Sequence, residues 1–216
     1  MTGHILPDST RFSVQTKGRR YSFLRPSDPD GILDQMTDEE YEKDRLLPYW
    51  TEYWPSSEAL LDFLQTVRLP QDACIAEAGC GLGVLSAWLI SRGYRAVPFD
   101  ISEAACRYAR ENMRQFCPRA TALCTDWRAL PFRAHTFDHL IAADVLYEAR
   151  WVHPVLSMCD RYLKRGGYAL LADPCRKHWK DVKNLAAEYG FAIEVAAEKK
   201  LNSQKTTVEI LKMTKP

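Results

Sequence analysis

From about residue 73 onward, short apolar runs alternate with helix-length amphipathic segments. A chain that switches repeatedly between these two periods predicts βαβ units and a mostly parallel sheet. Strands are expected at Ala73–Ala78, Arg95–Asp100, Ala120–Cys124, Asp138–Ala143, Tyr168–Asp173, Ala192–Ala196 and Thr206–Met213. Helical periods run near Val84–Ser91, Glu103–Phe116, Trp151–Leu163 and Trp179–Glu188. The link from Cys124 to Asp138 has no clear helical period. About nine residues separate Ala196 from Thr206, and a parallel crossover needs a dozen or more. The last two strands are therefore expected to be antiparallel.

The residues before this pattern read as an extension that docks on the core. Phe12 and Val14, then Tyr21 and Phe23, alternate about Lys17-Gly18 as in a β-hairpin. Thr37-Asp38-Glu39-Glu40 has capping-box spacing and predicts a short helix. An aromatic stretch, Leu47-Pro48-Tyr49-Trp50-Thr51-Glu52-Tyr53-Trp54-Pro55, leads into a helical run at Glu58–Val67. Its aromatics either pack as core or form a lid over a ligand, and both hold if different residues take each role. The expected fold class is α/β, a doubly wound, mostly parallel seven-stranded sheet with an antiparallel last strand and an N-terminal hairpin/helix extension. One domain is expected over residues 1–216, with the extension at 1–45 and the core at 46–216.

Composition narrows the class of partner. With 29 Lys and Arg against 28 Asp and Glu, the net charge is +1. A dedicated nucleic-acid binder would show a basic excess. No apolar run approaches the roughly 20 residues of a membrane span, and the first residues carry no basic-then-apolar signal pattern. The seven cysteines are odd in number and form no Cys-x-x-Cys pair. Reduced thiols in a cytoplasmic protein are expected, with no metal site and no membrane partner.

The strongest local motif is Glu77-Ala78-Gly79-Cys80-Gly81-Leu82-Gly83, between a strand and a helix. Glycines at alternate positions permit a sharp turn and bring backbone close to a ligand. Asp100 closes the next strand, where a carboxylate can accept hydrogen bonds from both hydroxyls of a ribose. Nicotinamide-binding loops read G-x-G-x-x-G and face a pyrophosphate. Here the third glycine comes one position early, and Glu77 would repel phosphate. A ligand with a ribose, an ammonium and a sulfonium but no phosphate fits both acids. S-adenosyl-L-methionine is the cofactor expected. Asp126-Trp127, after the third strand, is placed beside the adenine.

Four segments then carry a family resemblance. The glycine loop, Asp126-Trp127, Ala143-Asp144-Val145-Leu146-Tyr147-Glu148 and Asp173-Pro174-Cys175-Arg176 resemble the seven-β-strand protein lysine methyltransferases. Within that group they are most similar to the enzymes acting on the electron-transfer flavoprotein β-subunit and their bacterial relatives. The resemblance runs from about residue 46 to the end of the chain, and its most specific element is Asp144-x-x-Tyr147. Ala78 stands where the group usually has Leu, and Cys175 where Gly is common. The resemblance implies a class I methyltransferase fold, whose antiparallel last strand sets it apart from all-parallel nicotinamide folds.

It implies Asp144 and Tyr147 as catalytic residues, on a helical turn that aims both at the transferred methyl. It implies Trp54, Glu77, Gly79, Cys80, Gly81, Gly83, Asp100, Ile101, Asp126, Trp127 and Ala143 for the cofactor, and Trp50, Tyr53 and Arg176 for the substrate. The expected reaction is N-methylation of a protein lysine. A small molecule or RNA is the alternative substrate, and a non-catalytic cofactor-binding subunit the alternative role. The (Asn/Asp)-Pro-Pro-(Tyr/Phe) turn of base-amine methyltransferases is not present after Ala143.

Overall fold

A computed structural model describes residues 6, 8–34, 37, 47–200 and 207–216. The chain opens with an antiparallel hairpin, β1 (Ser9–Thr16) and β2 (Arg19–Pro26), turning at Lys17-Gly18. A short helix α1 (Pro29–Asp34) follows. The capping-box helix expected at Thr37–Glu40 lies outside the described residues.

After a 3-10 turn at Tyr49–Thr51 come α2 (Pro55–Leu64), β3 (Cys74–Ala78), α3 (Val84–Ser91), β4 (Arg95–Asp100) and α4 (Glu103–Arg114). Then follow β5 (Leu123–Cys124), β6 (Phe137–Ala143), α5 (Val152–Tyr162), β7 (Leu163–Asp173), α6 (Trp179–Glu188), β8 (Ala192–Lys200) and β9 (Thr207–Thr214). The expected strands and helices thus form, with changes: the helix expected at Glu58–Val67 runs Pro55–Leu64, the sixth strand continues past Ala196 to Lys200, and the third and fifth strands differ as follows. β5 is reduced to Leu123–Cys124 because it is an edge strand paired to β4 alone, and the Ala120 N–H is used in a turn to Cys117 O at 2.9 Å. β7 starts five residues early, directly from α5.

The main sheet has seven strands in the order β5-β4-β3-β6-β7-β9-β8. β3 through β7 are parallel, and β9 is antiparallel to both neighbours. Helices cover both faces, which makes the sheet doubly wound. One face buries α2, α3 and α4 through residues such as Leu60, Leu85, Leu89 and Met113. The other buries α5 and α6 through Val155, Leu156, Tyr162 and Val182. α3 is apolar nearly all round, with Val84 through Leu89 buried. Such a helix needs cover on its outer side as well.

The N-terminal hairpin supplies that cover. Val14, Tyr21 and Phe23 belong to the same core cluster as α3. A buried side chain fixes the docking: Asn112 accepts from Leu24 N–H at 2.7 Å and donates to Leu24 O and Leu82 O, each at 2.9 Å. Asn112 is 1% exposed, and all its pairing is to backbone, so the hairpin's position on the core is specified.

The chain runs outward from β3 through β4 to β5, then returns to β6 on β3's other side. Adjacent strands there send their following loops in opposite directions, which opens a crevice at the carboxyl ends of β3 and β6.

Candidate functional site

A cleft of about 370 Å³ occupies that crevice, within the range of roughly 300–1,000 Å³ typical of small-molecule sites. Its walls are the loops after β3, β4, β5 and β6, and the Leu47–Ser57 segment closes it from outside. The lining holds Glu52, Glu77, Asp100, Asp126 and Asp144 but no Lys, Arg or His among the described residues. Such a lining repels a pyrophosphate and accepts a cation.

The glycine loop forms the floor. Gly79, Gly81 and Gly83 all take left-handed backbone angles, with φ of 63°, 48° and 71°. Their side-chain space differs. A Cβ at Gly79 would sit 2.8 Å from Val145 Cγ1, and one at Gly83 would sit 2.7 Å from Ala109 Cα. At Gly81 the nearest atom is Trp50 O at 3.4 Å. Gly83 thus lets α3 and α4 approach each other, while Gly81 lies against the closing segment. Cys80 is buried, and Cys80 N–H donates to Phe99 O at 3.1 Å.

Two carboxylates flank the loop. Asp100 accepts from Gly81 N–H at 3.0 Å and from Ser102 N–H at 2.9 Å, one bond on each oxygen. Each oxygen keeps lone-pair capacity for a further donor. Burial pushes the Asp100 carboxyl above its usual range, against these backbone bonds. Glu77 is 4% exposed and accepts through Oε2 from both N–H and Oγ–H of Ser86, in the first turn of α3. Burial raises its carboxyl to about 8, with Asp100 adding to the rise. A cation arriving beside Glu77 would stabilise its ionised form.

Three features mark the cleft as built for a ligand with apolar and polar parts. Ile101 is 41% exposed beside Asp100, the Tyr53 hydroxyl is buried without a partner, and so is the Trp127 indole N–H. Asp126, expected beside an adenine amine, lines the cleft. It caps the turn at Trp127–Ala129, accepting from Arg128 N–H and from Arg128 Nε, both at 2.8 Å. The Arg128 guanidinium, through its side-chain and backbone bonds, holds the Asp126 carboxyl below its usual range although partial burial opposes it. Trp127 packs edge-on against Trp151, 5.2 Å between centroids, and Ala143 also lines the cleft.

The aromatic stretch divides between core and cleft. Trp50 packs on Tyr108 at 5.6 Å and Tyr53 on Phe12 at 5.9 Å, so these two rings join the core and hairpin. Both residues also line the cleft, and the Tyr53 hydroxyl is buried without a partner. Tyr49 and Trp54 face the other way. Trp54 Nε1–H donates to Tyr49 O at 2.7 Å, and the Tyr49 ring meets Trp54 at 5.9 Å and Tyr147 at 5.1 Å. Tyr147 continues to Trp151 at 6.5 Å. The result is an aromatic wall, and Tyr49 at its rim is 40% exposed.

Asp144 and Tyr147 both line the cleft, but not from a helical turn. Residues 144–148 form an irregular loop, and Asp144 itself takes a left-handed φ of 58°. This is uncommon for any residue with a Cβ, although Asp tolerates it better than most. Three contacts fix it there: its N–H donates to Ala172 O at 3.0 Å, its Oδ2 accepts from Ser56 N–H at 3.2 Å, and its Oδ1 lies 2.6 Å from Arg176 Nη1. Arg176 lies behind Asp144 rather than in the lining, and it also pairs with Asp173 at 2.8 Å. Cys175 adopts a φ of 58°, the conformation that favours a Gly at that position. Burial raises the Tyr147 hydroxyl to about 12, so it stays protonated.

Sequence reasoning missed Ser86, Ser56 and Trp151. Ser86 carried a usable signal, since a hydroxyl in the first turn after a glycine loop faces back toward the preceding strand. Ser56 acts through its backbone, which no side-chain pattern reveals.

Residues 75–167 match the model of a methyltransferase domain. Over this segment, which is less than half of its length, the chain is similar to that family. Its fold is that of class I S-adenosylmethionine-dependent methyltransferases, and S-adenosylmethionine is the cofactor that the donor set fits. Magnesium protoporphyrin IX methyltransferase from Synechocystis, solved with bound S-adenosylmethionine, superposes with a TM-score of 0.62 at 19% identity, covering 88% of this chain and 97% of that one. A TehB-like methyltransferase from Corynebacterium glutamicum gives 0.59 at 20% identity, with 82% and 97% covered. Among curated proteins, the biotin biosynthesis bifunctional protein BioHC of Cellvibrio japonicus is 26% identical over 132 residues, 58% of this chain. The chain spans about 25% of the length of that relative. No helix among the described residues is long and apolar enough to cross a membrane, and none of their acidic, Cys and His side chains gather into a metal site.

Proposed function

We propose that the whole chain is an S-adenosylmethionine-dependent N-methyltransferase whose acceptor is the side-chain amine of a protein lysine. The observation that carries this reading is the aromatic wall of Trp54, Tyr49 and Tyr147, open at Tyr49, with Asp144 lining the same cleft. A long, thin, cationic side chain fits such a wall, because ring faces attract an ammonium while apolar walls cover its methylene stem.

When bound, S-adenosylmethionine supplies an electrophilic methyl. In this reading Asp100 takes the ribose hydroxyls and Glu77 lies toward the ammonium, with Ile101 and Trp127 packing on the adenosine. The acceptor amine must arrive neutral. Burial among the aromatics lowers its proton affinity, while a lone carboxylate would raise it. Arg176 offsets the Asp144 charge, so Asp144 accepts an N–H hydrogen bond and aims the amine with less bias toward the ammonium form. Tyr147, protonated, offers its ring face to the cation that develops on methylation.

A small-molecule acceptor is the second reading. It is favoured by the relatives: the names of the matched proteins concern a porphyrin and biotin biosynthesis. Incubation with cofactor tritiated on the methyl, in extract split into macromolecular and small-molecule fractions, distinguishes the two. Label in the macromolecular fraction, lost on protease treatment and mapped to methyl-lysine, is the expected result. Label confined to the small-molecule fraction overturns the lysine assignment.

A further inference from the structure

Three cysteines converge behind the ribose side of the cleft, and neither the family match nor the methyl-transfer reading uses them. Cys80 lies in the glycine loop, Cys106 in the second turn of α4 and Cys124 at the end of β5. Cys106 is the middle one of the three: its thiol donates to the carbonyl of Leu123, the residue joined to Cys124, and its proton affinity responds to both neighbouring thiols. The backbone at Asp100 passes between them: Cys106 Sγ lies 3.6 Å from Asp100 O and 3.3 Å from Leu123 O, and Cys124 Sγ lies 3.4 Å from Ile101 O. Asp100 and Cys124 are also direct partners in the β4–β5 register. Cys80 and Cys106 are buried, whereas Cys124 is exposed. The group has one thiol open to solvent, one in the middle and one inside the cofactor loop.

We infer that Cys106 and Cys124 form a reversible oxidation site for hydroperoxides, and that their disulfide weakens cofactor binding through the Asp100–Ile101 segment. The exposed Cys124, as its thiolate, attacks the hydroperoxide; the O–O bond breaks, and the departing alkoxide, or hydroxide from hydrogen peroxide, takes up the proton the thiol released. The product is a sulfenic acid on Cys124. The Cys106 thiolate then attacks the Cys124 sulfur. An S–S bond forms, the S–O bond breaks, and hydroxide leaves to become water with the proton Cys106 gave up. Two thiols and one hydroperoxide thus become a disulfide, an alcohol and a water.

The surroundings suit Cys106 to the attacking role. The neighbouring Cys80 thiol draws the Cys106 thiol below its ordinary range despite burial. Its place near the N-terminus of α4 also favours the thiolate. Cys124 is pushed up by partial burial and by Cys106, so only a small fraction is thiolate, and that fraction, open to solvent, is the form that meets the hydroperoxide. Once bonded, both sulfurs leave the carbonyls of Asp100, Leu123 and Ile101. The Asp100 carboxylate, held by Gly81 and Ser102 N–H groups, moves with that backbone.

The test uses the full chain, reduced and then treated with stoichiometric hydrogen peroxide. Peptide mapping by mass spectrometry under non-reducing conditions is expected to find a Cys106–Cys124 link, absent in Cys124→Ser. Calorimetry is expected to show S-adenosylhomocysteine bound at least tenfold more weakly, with recovery on adding dithiothreitol. Cys124→Ser, which keeps the reduced-state affinity, is expected to be insensitive to peroxide. A different cysteine pairing, oxidation without any disulfide, or a Cys106–Cys124 link with unchanged affinity overturns the inference. Failure of the reduced protein to bind S-adenosylhomocysteine would instead count against the cofactor reading, and the mapped link would still decide the oxidation site.

Discussion

Arg176 reaches Asp144 across the mouth of the sheet, Nη1 to Oδ1 at 2.6 Å, while the same nitrogen holds Asp173 at 2.8 Å. One guanidinium therefore stands between two carboxylates whose side chains are 7% and 1% exposed. Burial raises the Asp173 carboxyl, and Arg176 opposes that rise. Removing the cation leaves two buried acids facing each other. Breaking a buried ion pair from one side costs about 3–5 kcal/mol. The Arg176 side chain is 30% exposed, so screening reduces the expected loss for Arg176→Gln to about 1–3 kcal/mol. Urea unfolding checks it, and an unchanged midpoint would show that the trio is not coupled.

Asp144→Asn keeps the shape of the side chain and removes its charge. Methyl transfer is expected to fall about 100-fold or more, equal to about 2.7 kcal/mol of transition-state stabilisation. S-adenosylhomocysteine affinity should change much less, because Glu77 and Asp100 lie on β3 and β4 and not in the loop after β6 that carries Asp144. Tyr147→Phe separates hydroxyl from ring, and near-normal turnover would leave the ring face as its contribution. Equal losses of binding and turnover in Asp144→Asn would move Asp144 into the cofactor site.

Asp100→Ala is expected to weaken S-adenosylhomocysteine binding by about 1.5–3 kcal/mol, the worth of a charged hydrogen-bond partner. Calorimetry with an unchanged dissociation constant would remove Asp100 from the ribose site.

Folded Glu77 holds its proton up to about pH 8, whereas an unperturbed glutamate releases it near 4.5. The folded state binds this proton more tightly, so the stability it brings is full below pH 4.5 and is lost as pH rises through about 8. The unfolding free energy of the wild type relative to Glu77→Gln should therefore decline across that window. Affinity for S-adenosylhomocysteine, whose ammonium favours the ionised carboxylate, should rise over the same range. Flat difference curves in both measurements would place Glu77 outside the linkage.

Gly83→Ala and Gly81→Ala should separate packing from ligand approach. At Gly83 the new Cβ meets Ala109 Cα and Cβ at 2.7 Å, with a φ of 71°. Overpacking and backbone strain together predict a loss of about 2–4 kcal/mol in stability. At Gly81 the nearest atom is 3.4 Å away, so strain alone predicts about 1–2 kcal/mol, with the larger effect on cofactor binding. Thermal unfolding and calorimetry on both variants check the ranking.

The periodic part of the chain declared most of this architecture. Val84–Ser91 and Trp179–Glu188 form helices over the residues their apolar periods predicted, and Arg95–Asp100 forms the predicted strand. The short Ala196-to-Thr206 link announced an antiparallel pair, and β8 and β9 are one. Ala120–Cys124 misled, because an edge strand's pairing depends on a single neighbour and not on its own apolar residues. In the cleft, glycines and acids stood out because few residue types can fill those places. The aromatic segment resisted reading because Trp50 and Trp54 are chemically alike, and only the turn at Tyr49–Thr51 sends one to Tyr108 and the other to Tyr49. Arg176 pairing behind Asp144 was likewise hidden, since the left-handed backbone at Cys175 sets its direction.

The place of β9 in the sheet has a consequence for how the molecule is made. β9 is hydrogen-bonded to β7 on one side and to β8 on the other. β8 is synthesised earlier, yet it touches the rest of the sheet through β9 alone. On the ribosome, the strands from β3 to β7 and the cleft they carry can assemble first, while β8 waits unpaired. During that interval the backbone edge of β7 is open to any passing strand. Closing it falls to Thr207–Thr214, which must slip between two segments rather than add to an outer edge. The pairings it makes with β7, such as Tyr168 with Thr214, span long loops, and long loops close slowly. Nascent chains of this protein are thus exposed to mispairing until β9 is in place.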